Sequence, residues 1–209
     1  MLTKFEIQER LNQVYSPGLI PESPYPLNFL DSHQHPAAVL IPLWELEGNW
    51  HLLFIRRTEY PNDRHSGQVA FPGGRCEPTD LTAENAALRE AQEEVGINPT
   101  DVQILGRLRD ILTISHFRVT PIVGMMPWPY NFSPQEYEVA RIFSIPLNWL
   151  ANPGNRKIQM RGLKILGRDV PVIYFEKYEG ELLWGASARI TLLLMEALGF
   201  AKPGCRYSC

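Results

Sequence analysis

Cysteine is scarce, with three in 209 residues, and two of those, Cys205 and Cys209, stand at the C-terminal end. So few thiols build no disulfide framework, and a reducing cytoplasm is the expected compartment. Long apolar runs are missing as well. The stretch Ile190 to Leu194 is far too short to cross a bilayer, and the opening MLTKFEIQERLNQVYSPG holds no apolar segment of signal-peptide length. A surplus of positive charge is also absent, since 20 Lys and Arg face 23 Asp and Glu for a net charge of −3. Long nucleic acid is therefore not an expected partner, and neither is a membrane. Internal repeats and blocks of like charge are lacking too, which excludes solenoids and charged tails.

What is present suits one globular domain. With 44% apolar residues over this length, the chain can bury one substantial core. Thr3 to Val14 carries Phe5, Leu11 and Val14 at roughly helical spacing and stops before Ser16-Pro17-Gly18, so it reads as a short helix outside the catalytic core. A Pro-rich lead-in from Pro17 to Pro36 follows, giving a first segment of 1–36, a main domain of 37–200 and a tail of 201–209. Ala37 to Ile41 and Trp50 to Arg57 flank Glu47-Gly48-Asn49 as a hairpin. Strand-like segments recur at Val102 to Leu108, Arg118 to Met125, Ala140 to Ile145 and Val170 to Phe175, and a last helix is expected from about Ala188 to Leu198. Pro127 to Pro134 and Pro146 to Gly154 read as surface loops. Interleaved strands and helices of this kind give an α/β class, a mixed sheet between helices.

The densest chemistry lies in Phe71 to Ile97, FPGGRCEPTDLTAENAALREAQEEVGI. At about 100° per residue, Ala87, Leu88, Ala91 and Val95 share a helical stripe, while Glu90, Glu93 and Glu94 crowd an adjoining arc expected to face outward. Like charges at these spacings repel, and Arg89, four residues before Glu93, balances only part of them. Hard oxygen ligands call for a cation, Mg²⁺ or Mn²⁺, held with waters and the phosphate oxygens of a substrate. Ahead of the helix, Gly73-Gly74 lets the backbone turn tightly against a ligand, and Asp80 is the expected N-cap.

Arg89-Glu90-Ala91-Gln92-Glu93-Glu94-Val95-Gly96-Ile97 resembles the second half of the Nudix box. The first half differs: five residues separate Gly74 from Asp80, eight more precede Arg89, and Leu81 stands where strict counting back places the box's glutamate. The resemblance implies a Nudix-type α/β/α sandwich with a mixed, curved sheet. It implies Gly74 (through its carbonyl), Glu90 and Glu94 as metal ligands, Glu93 as ligand or supporting residue, and Arg89 as the group orienting these carboxylates. A further base in this family often comes from beyond the box, and Glu138, at the entry to a strand, is the candidate; a merely solvated residue is the competing reading. His33 and His35 read as a polar loop rather than a metal clasp, and His65 and His116 flank the cleft.

Leu53 to Thr58, Arg64 to Gly74, Phe117 to Gly124 and Trp184 to Arg189 are similar to segments of the coenzyme A pyrophosphatase group within that family. Ile55 stands where the group has Thr, and one extra residue between Arg57 and Gly67 places the group's second Arg at Asn62 or Asp63, beside Arg64. The resemblance implies substrate contacts from Arg57, Arg64, Gly67, Phe71 and Gly73, a small nucleotide diphosphate substrate, and cleavage of coenzyme A to adenosine 3′,5′-bisphosphate and 4′-phosphopantetheine. Other Nudix substrates, such as ADP-ribose, a reduced dinucleotide or a diadenosine polyphosphate, stay open, as does a non-catalytic nucleotide-binding role. A homodimer is compatible with the sequence.

Overall fold

The structure, a computed structural model, describes residues 2–25, 34–61, 66–163 and 167–202. Its frame is set by β1 (His35–Leu46) and β2 (Asn49–Arg57), the arms of the expected hairpin, which pair antiparallel from Leu43↔Leu52 to Leu46↔Asn49. Beyond that point the two strands separate. The corner made by β3 (Val69–Ala70) and β4 (Gly73–Arg75) fills the opening, β3 pairing with Ile55 and Arg56 of β2 and β4 pairing with Ala37 to Val39 of β1. On its other edge β1 runs parallel to β7 (Phe117–Met125), which carries β5 (Gln103–Arg107) and β6 (Ile111–Leu112) antiparallel. The free edge of β2 takes β8 (Val139–Pro146), completing an eight-stranded mixed sheet. β9 (Arg156–Leu163) and β10 (Arg168–Phe175) form a separate two-stranded ribbon.

Because β1 is central, both of its faces are buried. Ala37, Ile41 and Leu43 join one core cluster, Ala38, Leu40 and Trp44 the other. α2 (Ala83–Val95) covers the second face through Ala86, Ala87, Ala91 and Val95. The first cluster takes in α1 (Lys4–Val14) through Ile7 and Leu11, α3 (Leu147–Ala151) through Leu147 and Leu150, and α4 (Gly185–Ala197) through Ile190, Leu193 and Leu194. The expected mixed α/β layering is thus observed.

Several local expectations need correction. Thr3 caps α1 with a full capping box to Glu6, and Ile7 and Leu11 of that helix are fully buried in the main hydrophobic cluster. His35 opens β1 instead of lying in a polar loop, its N–H bonded to the His116 carbonyl. Pro146 to Gly154 is not a plain loop: Leu147 and Leu150 bury an apolar face, which turns the segment into α3. β9 was not foreseen at all. In the Pro-rich lead-in, Glu22 is tied to the body of the fold. Its backbone bonds Asp110 and Leu112, and its buried carboxylate pairs with Arg189 of α4 at 3.0 Å.

Candidate active site

The corner between β3 and β4 delivers the backbone to the carboxylates of α2. A side chain at Gly74 would place its Cβ 2.5 Å from the Glu90 carboxylate carbon, so any larger residue here would displace that carboxylate from its present position. Gly73 donates its N–H to Glu94 Oε2 at 2.9 Å. At the far end of α2, Gly96 takes the left-handed conformation, φ 73°, and ends the helix. Its missing Cβ also makes room for Ser133. From there Ser133 N–H donates to the Val95 carbonyl and Gln135 N–H to the Glu94 carbonyl, so the loop carrying Glu138 hangs from the helix that carries Glu90 and Glu94.

These elements enclose a cleft of about 490 Å³ lined by Arg57, Thr58, Tyr60, Gly73, Gly74, Arg75, Glu90, Glu94, Tyr137 and Glu138. Glu94 is not outward-facing; it is 3% exposed. Burial pushes its carboxyl up to about 7, the Gly73 N–H and the Arg57 charge pull the other way, and Glu90 and Glu138 add to the rise. Glu90 is raised for the same first reason, burial, with Arg89 opposing and Glu93 and Glu138 reinforcing. Two carboxylates that resist ionisation beside a third negative group form a place where a cation is favoured. Glu90 and Glu94 line this cleft together with Gly74, and hard oxygen donors of this kind could hold a divalent ion such as Mg²⁺ or Mn²⁺. Among the described residues no three acidic, His or Cys side chains already converge around one point.

Glu93 stands apart. Its side chain is more than half exposed, lies outside the cleft lining, and accepts from Arg89 Nη1 at 3.0 Å. Arg89 gathers the local charge: the same Nη1 reaches Glu90 at 3.0 Å, Nε and Nη2 grip both oxygens of Asp80 at 3.1 and 3.0 Å, and Nη2 also reaches the Arg75 carbonyl. Asp80 is therefore not the N-cap of α2. Thr82 takes that place by accepting from Asn85 N–H, and Asp80, its carboxyl held low by the Arg89 guanidinium, fixes the arginine. The extra residue before Arg89 is absorbed there, with Leu81 turned 91% to solvent.

Two expected substrate contacts lie elsewhere. Phe71 is buried in the core against Phe54, ring centroids 4.6 Å apart, because β3 turns it inward. Gly67 packs against the side chain of Glu59, away from the cleft lining. Arg64, His33 and His65 lie outside the described residues. His116 closes a turn onto the Thr113 carbonyl and does not line the cleft. Sequence reasoning missed Arg75, whose guanidinium lies 5.1 Å from the Phe117 ring, and the rim residues Thr58, Tyr60 and Tyr137. Arg75 follows Gly74 directly and was open to notice; the rim residues carry no local signal.

A family model described as the NUDIX domain matches residues 33–159. Two curated relatives, both named "Uncharacterized Nudix hydrolase NudL", come from Yersinia enterocolitica, 39% identical with 81% of this chain and 84% of that one covered, and from Pectobacterium atrosepticum, 34% identical with 90% and 88% covered. Among solved structures, a MutT/nudix family protein from Enterococcus faecalis superposes over 95% of this chain and 75% of its own with a TM-score of 0.53 and 14% identity, a likeness of fold.

Proposed function

This chain belongs to the Nudix family as a pyrophosphohydrolase, and we propose that it cleaves the diphosphate of coenzyme A or an acyl derivative to adenosine 3′,5′-bisphosphate and 4′-phosphopantetheine. The observation that carries this reading is one cleft in which a buried Glu94 and a part-buried Glu90, both resisting ionisation, share the lining with guanidinium groups. Nudix hydrolases generally use divalent ions. Glu90 and Glu94, with the Gly74 carbonyl beside them, would hold such an ion, which would neutralise charge and make water a better nucleophile. Glu138, across the cleft, accepts the proton of the attacking water. Arg57 and Arg75 receive phosphate oxygens, and a planar guanidinium suits the 3′-phosphate of coenzyme A as well as the diphosphate. Arg89, locked by Asp80, keeps Glu90 turned to the cleft, and Glu93 completes that brace. The coenzyme choice rests on the likeness of Leu53 to Thr58 and of the flanking segments to the coenzyme A pyrophosphatase group, and it gains support from Arg57 lining this cleft. We place the function in residues 37–200, and α1 serves as a buried brace on the sheet.

A substrate panel tests this. Coenzyme A should give the highest kcat/KM, ahead of ADP-ribose, a reduced dinucleotide and diadenosine polyphosphates. Arg57→Ala should penalise coenzyme A about tenfold to a hundredfold more than dephospho-coenzyme A, from a charge-assisted bond of roughly 1.5–3 kcal/mol. Equal losses on both would remove Arg57 as the reader of the 3′-phosphate, and rapid cleavage of ADP-ribose with coenzyme A untouched would overturn the substrate assignment.

A further inference from the structure

Two aromatic side chains stand on the rim of the catalytic cleft with no part in the chemistry described above. Tyr60 is 48% and Tyr137 58% exposed, and among the described residues they are the large exposed aromatic or apolar side chains that also line this cleft. Exposed rings scattered over a surface carry no meaning, but the backbones of these two are tied together. Thr58, two residues before Tyr60, donates its Oγ1 to the Glu136 carbonyl and its N–H to the Glu138 carbonyl, both at 3.0 Å, and those carbonyls flank Tyr137. Tyr60 N–H donates to Ser66 Oγ at 2.8 Å, and Glu138 N–H and Val139 N–H both close on the Gln135 carbonyl at 2.8 Å. Two solvent-facing rings are thus presented on braced backbone, next to the guanidinium groups and the carboxylates.

We propose that Tyr60 and Tyr137 form a stacking rim for the adenine of the substrate, an inference that rests on reading the cleft as a nucleotide diphosphate site. The chemistry divides by position: guanidiniums take phosphate charge, carboxylates take the cation, and the rim offers flat, partly apolar faces to a planar π system held one sugar away. A ring with a polar tip suits this place, since its face stacks while its hydroxyl stays in water. Stacking on an aromatic face tolerates any base because every base has a π-face, so the rim holds the nucleoside half and leaves the acyl or pantetheine half unread.

Calorimetric titration in Mg²⁺ with adenosine 3′,5′-bisphosphate and, separately, with inorganic pyrophosphate tests the rim. Tyr60→Ala and Tyr137→Ala should each weaken the adenosine probe by about fivefold to a hundredfold. Tyr→Phe at either position should stay near wild type, because the ring is kept, and pyrophosphate should bind all variants alike. Unchanged adenosine affinity in both Ala variants, or equal loss of pyrophosphate, would overturn the rim. Its failure is distinguishable from failure of the coenzyme reading: a wild type that cleaves ADP-ribose but not coenzyme A retires the latter only. The same expected losses then apply with adenosine 5′-monophosphate as the probe.

Discussion

Glu94 concentrates the tension of the site in one side chain. Its carboxyl is buried and raised from 4.5 to about 7, so the folded protein holds this proton more tightly than the unfolded chain does. A raised carboxyl stabilises the fold fully below about pH 4.5 and loses that contribution as pH climbs through about 7, an interval worth roughly 3 kcal/mol. In chelator, the melting temperature of the wild type should therefore fall across this window relative to Glu94→Gln, which has no proton to lose. Added Mg²⁺ at pH 8 should raise the wild type more than the variant, since the ion binds the ionised form. Parallel pH profiles for the two proteins would mean that Glu94 ionises without strain. The sequence showed the box carboxylates but not their separation into a buried Glu94, a part-buried Glu90 and an exposed Glu93, because period alone places all three on one arc. Burial was decided by β4, whose glycines bring a second strand over Glu90 and Glu94. Phe71, which the family resemblance implies as a substrate contact, packs inward because its partner Phe54 lies elsewhere in the chain.

Elements are coupled at Gly96. This residue ends α2 with φ 73° and leaves room for Ser133, whose Cβ would lie 2.9 Å from an added Cβ. Gly96→Ala pays left-handed strain of about 1–3 kcal/mol and also pushes away the loop that carries Tyr137 and Glu138. Turnover should drop well beyond what the fall in melting temperature explains. Gly180→Ala is the control, since φ is 86° there and nothing lies within 4 Å, so it should cost stability without turnover. Equal turnover losses in the two variants would separate Gly96 from the placement of Glu138. The strongly patterned elements, α2 and the paired strands β1, β2, β7 and β8, were legible because their residues alternate or repeat locally. α3, β9 and the short β3, β4 and β6 were not, since their partners lie far along the chain and their own composition is mixed.

Across the whole molecule, one topological event places the site. β1 and β2 part company, a glycine corner enters between them, and α2 on one face meets the end of β2 and the loop before β8 at that opening. None of the three helices on the opposite face contributes a residue to the cleft lining. Among the described residues no helix is long and apolar enough to cross a membrane. The box motif told which chemistry to expect, whereas the partition into cation side, phosphate side and rim came from contacts between segments many residues apart. The most direct test combines cation and carboxylate on the proposed substrate: coenzyme A incubated with purified protein, the products identified by mass spectrometry, with Mg²⁺ or with chelator, for wild type and Glu94→Gln. Adenosine 3′,5′-bisphosphate and 4′-phosphopantetheine should appear only with wild type and Mg²⁺, the variant falling by orders of magnitude. Full turnover in chelator, or a variant as fast as wild type, would contradict a cation-dependent cleavage centred on Glu94.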